Sequence, residues 1–143
     1  MTVTKDILKL SNQLCFPLYA ATRQITKLYR PLLEKLGVTY PQYLVLLVLF
    51  EEDSVTVKEL GERLYLDSGT LTPMLKRMEE HGLVSRQRSS KDERVVEVTL
   101  TDKGRAIEKQ AEEVPLKFAK EIHLEKEEFD ELKRLLTKIL DQV

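Results

Sequence analysis

Apolar residues recur at helical spacing along most of the chain, and they alternate in only one stretch. Leu14, Leu18, Ala21, Ile25, Leu28 and Leu32 are separated by four and three residues in turn, the repeat of a coiled-coil seam. The spacing predicts a helix over 13–36, with Pro17 in its first turn, where a missing N–H does no harm, and Gly37 at its end. Thr39, Pro41 and Gln42 then form a helix start, with Thr39 and Gln42 as a capping box. The run YLVLLVLF over 43–50 has the composition of a strand, but the cap in front of it makes it a buried helix. Thr56 and Glu59 form a second capping box, ahead of a short helix with Val57, Leu60, Gly61 and Leu64 on one face. A fourth helix begins at Asp67 or Ser68. Leu71, Leu75 and Met78 line one of its faces, and Gly69, Thr70, Pro73, Lys76 and Arg77 line the other. On this count Pro73 lies beyond the first turn, so a regular start only at Thr72 stays open. Gly82 ends the helix.

Residues 84–88 and 94–100 change to the alternating period of strands, with Val96, Val98 and Leu100 facing inward. The loop SSKDE between them makes an antiparallel hairpin. Thr101 caps a fifth helix, whose stripe is Ile107, Ala111, Val114, Phe118 and Ile122 and which Pro115 is expected to kink. A last helix over 126–142 carries Phe129, Leu132, Leu136, Ile139 and Val143 at heptad-like spacing. The fold class is therefore mainly α with a small β-hairpin. A helix joined to a basic two-stranded ribbon is a winged helix-turn-helix, which sets a helix in the major groove of DNA and a ribbon tip beside it. The expected organisation is one domain over 1–143, with the winged module at 55–100 and dimerisation helices at 13–36 and 101–143. Seams at both chain ends imply a homodimer that reads a pseudo-palindromic site in double-stranded DNA.

Charge qualifies this picture without overturning it. The chain of 143 residues carries a net charge of −1, whereas dedicated nucleic-acid binders are often basic. Yet residues 86–94 hold Arg86, Arg88, Lys91 and Arg94 against two acidic groups, and phosphate binding needs only such a local footprint. The longest apolar run is far shorter than a membrane span. The opening MTVTKDILKLSNQ has no signal-peptide pattern, so a cytoplasmic protein is expected. The single cysteine, Cys15, excludes an internal disulfide, and His81 and His123 offer no metal-ligand spacing. No metal and no cofactor are expected.

The order of these pieces resembles the MarR family of bacterial transcription regulators over nearly the whole chain. The most specific element is the wing, where Asp92-x-Arg94 precedes Leu100-Thr101 and Gly104. LSNQLCFPLYA over 10–20, VTYPQY over 38–43 and LYLDSGTLTPMLKRME over 64–79 are similar to the organic hydroperoxide resistance regulators, the one-cysteine, peroxide-sensing branch. Pro17 departs from that pattern beside the cysteine. The resemblance implies a repressor, not an enzyme, that binds DNA as a homodimer while Cys15 is reduced and is released by an organic hydroperoxide. It also implies that Tyr29 and Tyr40 of the partner subunit lie near the cysteine, with Tyr19 close in sequence.

Each candidate has a plainer reading. A lone cysteine in an apolar helix is usually inert packing. At a helix N-terminus, however, the positive end of the dipole favours the thiolate, the form that attacks peroxides. With no second cysteine in the chain, the sulfenic acid must meet a low-molecular-weight thiol, a backbone nitrogen, Cys15 of the partner subunit or more oxidant. Tyr19, Tyr29 and Tyr40 are packing residues by composition and thiolate-supporting donors by resemblance. Phe16 is expected to line an apolar pocket for alkyl peroxides. Ser68, Thr70, Lys76 and Arg77, with Asp67 at the helix start, suit phosphate or base-edge contacts. Arg86, Arg88 and Lys91 suit phosphates, and Asp92 is placed to aim Arg94 at the minor groove. A regulator released by a phenolic or other small ligand remains the alternative.

Overall fold

In a computed structural model, residues 3–143 are described, with side chains from Lys5 onward. Met1 and Thr2, the beginning of the stretch read for a targeting signal, lie outside the described residues. A short helix α1 (Val3–Ile7) and a 3₁₀ turn (Leu10–Asn12) precede the long helix α2 (Cys15–Leu36). Cys15, Phe16 and Pro17 form the first turn of α2, as expected for a proline tolerated there. Gly37 ends the helix in the left-handed region, at φ 73°. Pro31, which the periodicity did not single out, sits inside α2 without breaking it.

Helix α3 (Tyr40–Glu51) starts on the anticipated capping box. The Thr39 N–H donates to Gln42 Oε1 at 3.0 Å, and Gln42 N–H donates back to Thr39 Oγ1 at 3.4 Å. Val45, Leu46 and Leu49 of α3 are fully buried, which settles the strand-like run as the central core helix. Helix α4 (Val57–Leu64) is capped by Thr56, but only in one direction: Glu59 N–H donates to Thr56 Oγ1 at 3.0 Å. Helix α5 (Ser68–Glu80) runs unbroken through Pro73, so the delayed start at Thr72 is wrong. Asp67 caps it, accepting from Thr70 N–H at 2.7 Å. The residue four before Pro73 is Gly69, which has no side chain to add to the crowding around the ring. Leu71, Leu75 and Met78 are buried as the spacing required, together with Met74.

The hairpin is part of a three-stranded antiparallel sheet in the order β1-β3-β2, with β1 (Ser54–Thr56), β2 (Val84–Arg88) and β3 (Val96–Leu100). Val98 pairs with Val55 on one side and Arg86 on the other. Strand β1 is too short to announce itself by alternation. Arg94 and Val95 belong to the wing loop and not to β3.

The expected fifth helix is three short ones: α6 (Asp102–Ala106), α7 (Glu108–Ala111) and α8 (Glu113–Glu121). Thr101 caps α6, accepting from Gly104 N–H at 3.0 Å. The second interruption falls at Glu112, one turn before Pro115, whose ring crowds the carbonyl of Ala111. Helix α9 (Lys126–Leu140) closes the chain and buries none of its side chains.

The core gathers α2 through α5, the sheet, Ala111 and Val114. Only the C-terminal half of α2 enters it, through Tyr29, Leu33 and Leu36. The heptad seam lies on the neighbouring face: Ile25, Leu28 and Leu32 are half-buried, and Leu14 is 64% exposed.

Candidate nucleic-acid interface and thiol site

A groove between α4, α5 and the wing is lined by Thr56, Lys58, Ser68, Thr72, Arg86, Arg88 and Arg94, among others. Two segments far apart in sequence thus share one concave face. Ser68 and Thr70 occupy the exposed first turn of α5, and Lys76 and Arg77 lie exposed further along it. Asp67 is occupied by capping, so its carboxylate shapes the helix start. Lys58 and Thr72 were not singled out from the sequence. Lys58 belongs to the groove only because α4 packs beside α5, which no spacing rule reveals.

The four basic residues of the wing divide into distinct roles. Arg94 is 91% exposed and is held by Asp92. Its backbone N–H donates to Oδ1 at 3.0 Å, Nε to Oδ1 at 3.2 Å and Nη2 to Oδ2 at 3.3 Å. These bonds, the guanidinium first and the backbone N–H second, hold the Asp92 carboxyl below its ordinary range. The pair presents a pre-aimed cation at the tip, in keeping with the spacing of the two residues. Lys91 is exposed at the same tip. Arg88 turns back along the wing and donates to the Glu93 carbonyl at 2.7 Å.

Arg86 is engaged within the fold. Glu79 of α5 accepts its backbone N–H at 2.9 Å, its Nη2 at 3.2 Å and its Nε at 3.4 Å. The backbone N–H and then the guanidinium depress the Glu79 carboxyl, against some loss of solvent. This arrangement bolts the wing to α5.

Cys15 is free and exposed at the first residue of α2. Phe16 and Tyr19 are exposed beside it, and Tyr19 lies one turn along the same face, with the Arg23 guanidinium 5.2 Å from its ring centre. Tyr29 and Tyr40 do come together, with ring centres 5.9 Å apart, and Tyr43 extends the stack at 6.0 Å from Tyr40. Burial first, and the neighbouring tyrosines second, push the Tyr29 hydroxyl up to about 12. Burial also raises Tyr40 and Tyr43. These hydroxyls are therefore neutral donors at physiological pH. The pair does not meet Cys15 in its own chain: Tyr29 lies fourteen helical steps beyond Cys15 on continuous helix, about 21 Å along the axis. Among the described residues no group of three or more His, Cys, Asp or Glu side chains is arranged to hold a metal. No helix among them is long and apolar enough to cross a membrane.

Fold and site together define a winged-helix transcriptional regulator with an exposed thiol at the start of its longest helix. Residues 27–111 match the family described as transcriptional regulator SarA/Rot. The chain is 54% identical over 130 residues to the organic hydroperoxide resistance transcriptional regulator of Bacillus subtilis (strain 168), covering 91% of this chain and 86% of that one. Among solved structures, overoxidized AbfR bound to DNA is 36% identical, with a TM-score of 0.81 over 98% of this chain and 99% of that one. Disulfide-formed AbfR is 38% identical, with a TM-score of 0.68 over 96% and 97%. The chain belongs to this family of transcriptional regulators, as a MarR-type member of the organic hydroperoxide resistance kind, and is not an enzyme.

Proposed function

We propose that the chain is a homodimeric repressor that holds a pseudo-palindromic operator while Cys15 is a free thiol and leaves it after an organic hydroperoxide oxidises that sulfur. The observation that carries this reading is an exposed Cys15, the one cysteine of the chain, in a protein 54% identical to an organic hydroperoxide resistance regulator. Two-fold symmetry is supported by the apolar residues left uncovered at both chain ends, Leu10 and Leu14 on one side and Phe129 and Leu132 on the other. In such a dimer Cys15 faces Tyr29 and Tyr40 of the partner subunit, which resolves the distance between them within one chain. The operator places the protein in the cytoplasm.

The thiolate sulfur attacks the outer peroxide oxygen, the O–O bond breaks, and the alkoxide takes a proton to leave as an alcohol. The sulfur is oxidised by two electrons to a sulfenic acid, and the peroxide is reduced by the same two. A thiol then attacks that sulfur, giving a disulfide and water. AbfR in its overoxidized form is bound to DNA, so added oxygen is compatible with binding in that protein. We therefore take the releasing state here to be a disulfide, formed with a low-molecular-weight thiol or with Cys15 of the partner subunit.

The test is a binding titration on a duplex selected from a random pool by the reduced protein, with and without cumene hydroperoxide and a small thiol. Cys15→Ser keeps the size and a hydroxyl but cannot be oxidised in this way, so it binds like reduced wild type and ignores peroxide. Release of the variant by peroxide would move the switch elsewhere, to Met74 or Met78 first, and would overturn the sensor assignment.

A further inference from the structure

Among the described residues, Tyr65 is the one non-glycine residue with a positive φ, at 57° with ψ 40°. The left-handed region is comfortable for glycine and tolerable for asparagine, but it is unfavourable for a bulky aromatic. The corner between α4 and α5 explains why the backbone must turn there. It consists of Tyr65 and Leu66, whose N–H groups both donate to the Gly61 carbonyl. A side chain at Gly61 would sit 2.6 Å from the Leu66 carbonyl oxygen, so the corner is tight. None of this explains a tyrosine. Leu66 packs against the core, whereas the Tyr65 ring is 59% exposed and contributes little to burial.

Its place in the fold does explain it. Tyr65 stands two residues before Asp67, the cap of α5, at the edge of the groove: its neighbours Gly61, Leu66 and Ser68 line it, and Tyr65 itself lies outside the lining. In a helix-turn-helix the start of the second helix faces base edges, and the element before it crosses the sugar–phosphate backbone. Tyrosine hydroxyls are among the usual phosphate donors. Resting on the DNA-binding reading above, we propose that Tyr65 is a backbone-clamping residue whose hydroxyl donates to a phosphate at the rim of the major groove. The strained turn leaves Tyr65 exposed at the corner directly before α5.

The test uses the reduced full-length protein in anisotropy titrations on two duplexes, one selected from a random pool by the wild type and one scrambled. Tyr65→Phe removes only the hydroxyl, and Tyr65→Asn keeps a residue suited to positive φ. Both variants melt no lower than wild type and lose affinity roughly a hundredfold, because the dimer loses two hydrogen bonds to charged groups at about tenfold each. The loss is equal on both duplexes and leaves the salt slope unchanged, because a phosphate contact by a neutral hydroxyl carries no base information and releases no counterion. Arg94→Ala serves as the control. If it weakens binding while Tyr65→Phe matches wild type, the Tyr65 assignment alone is overturned. A clear drop in melting temperature for Tyr65→Asn makes the ring a packing residue and overturns it too. If the wild type enriches no duplex, the DNA-binding reading falls, and this proposal falls with it.

Discussion

Removing the Glu79 carboxylate separates two roles for Arg86 that the sequence could not distinguish. If Arg86 is a bolt, Glu79→Ala takes away the acceptor of a part-buried backbone N–H and one side of an ion pair. The lost backbone bond costs about 0.5–1.5 kcal/mol. The ion pair adds about 0–1 kcal/mol, because the Glu79 side chain is 39% exposed and water screens it. The total, about 0.5–2.5 kcal/mol, corresponds to a melting midpoint lower by roughly 2–10 °C for a chain of this size. Arg86→Ala leaves the backbone bond in place and falls by less. The depressed Glu79 carboxyl sets the pH dependence. In acid the unfolded chain binds the proton first, so this stabilisation is complete above the ordinary glutamate range and is lost as pH falls through the lowered value. Thermal melts from pH 3 to 7 and titrations on the selected duplex read both effects. A loosened wing lowers DNA affinity in both variants with the salt slope unchanged. The reasoning is refuted if Arg86→Ala reduces the salt slope by about one per wing without a change in melting, or if Glu79→Ala binds DNA more tightly, since either result puts Arg86 on a phosphate.

Two further outcomes test the frame of the molecule. Gly104→Ala would drive a methyl group into the Leu83 carbonyl and Leu100; it should lower stability by about 2–3 kcal/mol, read as a loss of roughly 6–12 °C in the melt. Tyr29 stays protonated in the fold above its ordinary value of 10.0, up to about 12, while the unfolded chain loses that proton first. Stability should therefore fall as pH rises from 10 toward 12, by an amount of order 2–3 kcal/mol at the upper end. Tyr29→Phe should flatten that fall, checked by urea melts at stepped pH, with tyrosinate absorbance reporting the ionisation.

Much of this architecture was legible because local chemistry and tertiary packing agree. The Thr39–Gln42 box, the Thr101 cap and the glycines at 37 and 82 mark real ends, since each satisfies terminal backbone groups that sequence alone exposes. The Asp92–Arg94 pair was readable because its partners are two residues apart. What escaped is long-range. Strand β1 exists because β3 offers an edge at Ser54–Thr56, not because three residues alternate. The Glu79 partner of Arg86 was not legible because it lies seven residues away on another element. Tyr43 joined Tyr29 and Tyr40 only when α2 and α3 packed. Tyr65 hid because a strained dihedral leaves no trace in composition.

Helix α2 links the two halves of the proposed switch. Its N-terminal half, with Cys15, Phe16 and Tyr19, lies outside the core, while Tyr29, Leu33 and Leu36 root its other end among α3 and α8. Tyr29 of the root is stacked on Tyr40, which in turn meets Tyr43 at a tilt, so the root continues into α3. Arg63 of α4 pairs with Glu51 of α3, and α3 packs on α5 as well. Pro31 cannot donate to the Lys27 carbonyl one turn back, so α2 lacks a backbone bond near the point where it enters the core. A group added at Cys15 therefore acts at the free end of a long helix that lacks one backbone bond where it enters the core, and it reaches the winged module through α3. In the dimer proposed above, with each Cys15 beside the partner's Tyr29 and Tyr40, one modification would press on both heads at once. Two reading heads held at a fixed half-site spacing tolerate little such displacement. A differential of a few kcal/mol between the two arrangements is enough to lower operator affinity by orders of magnitude.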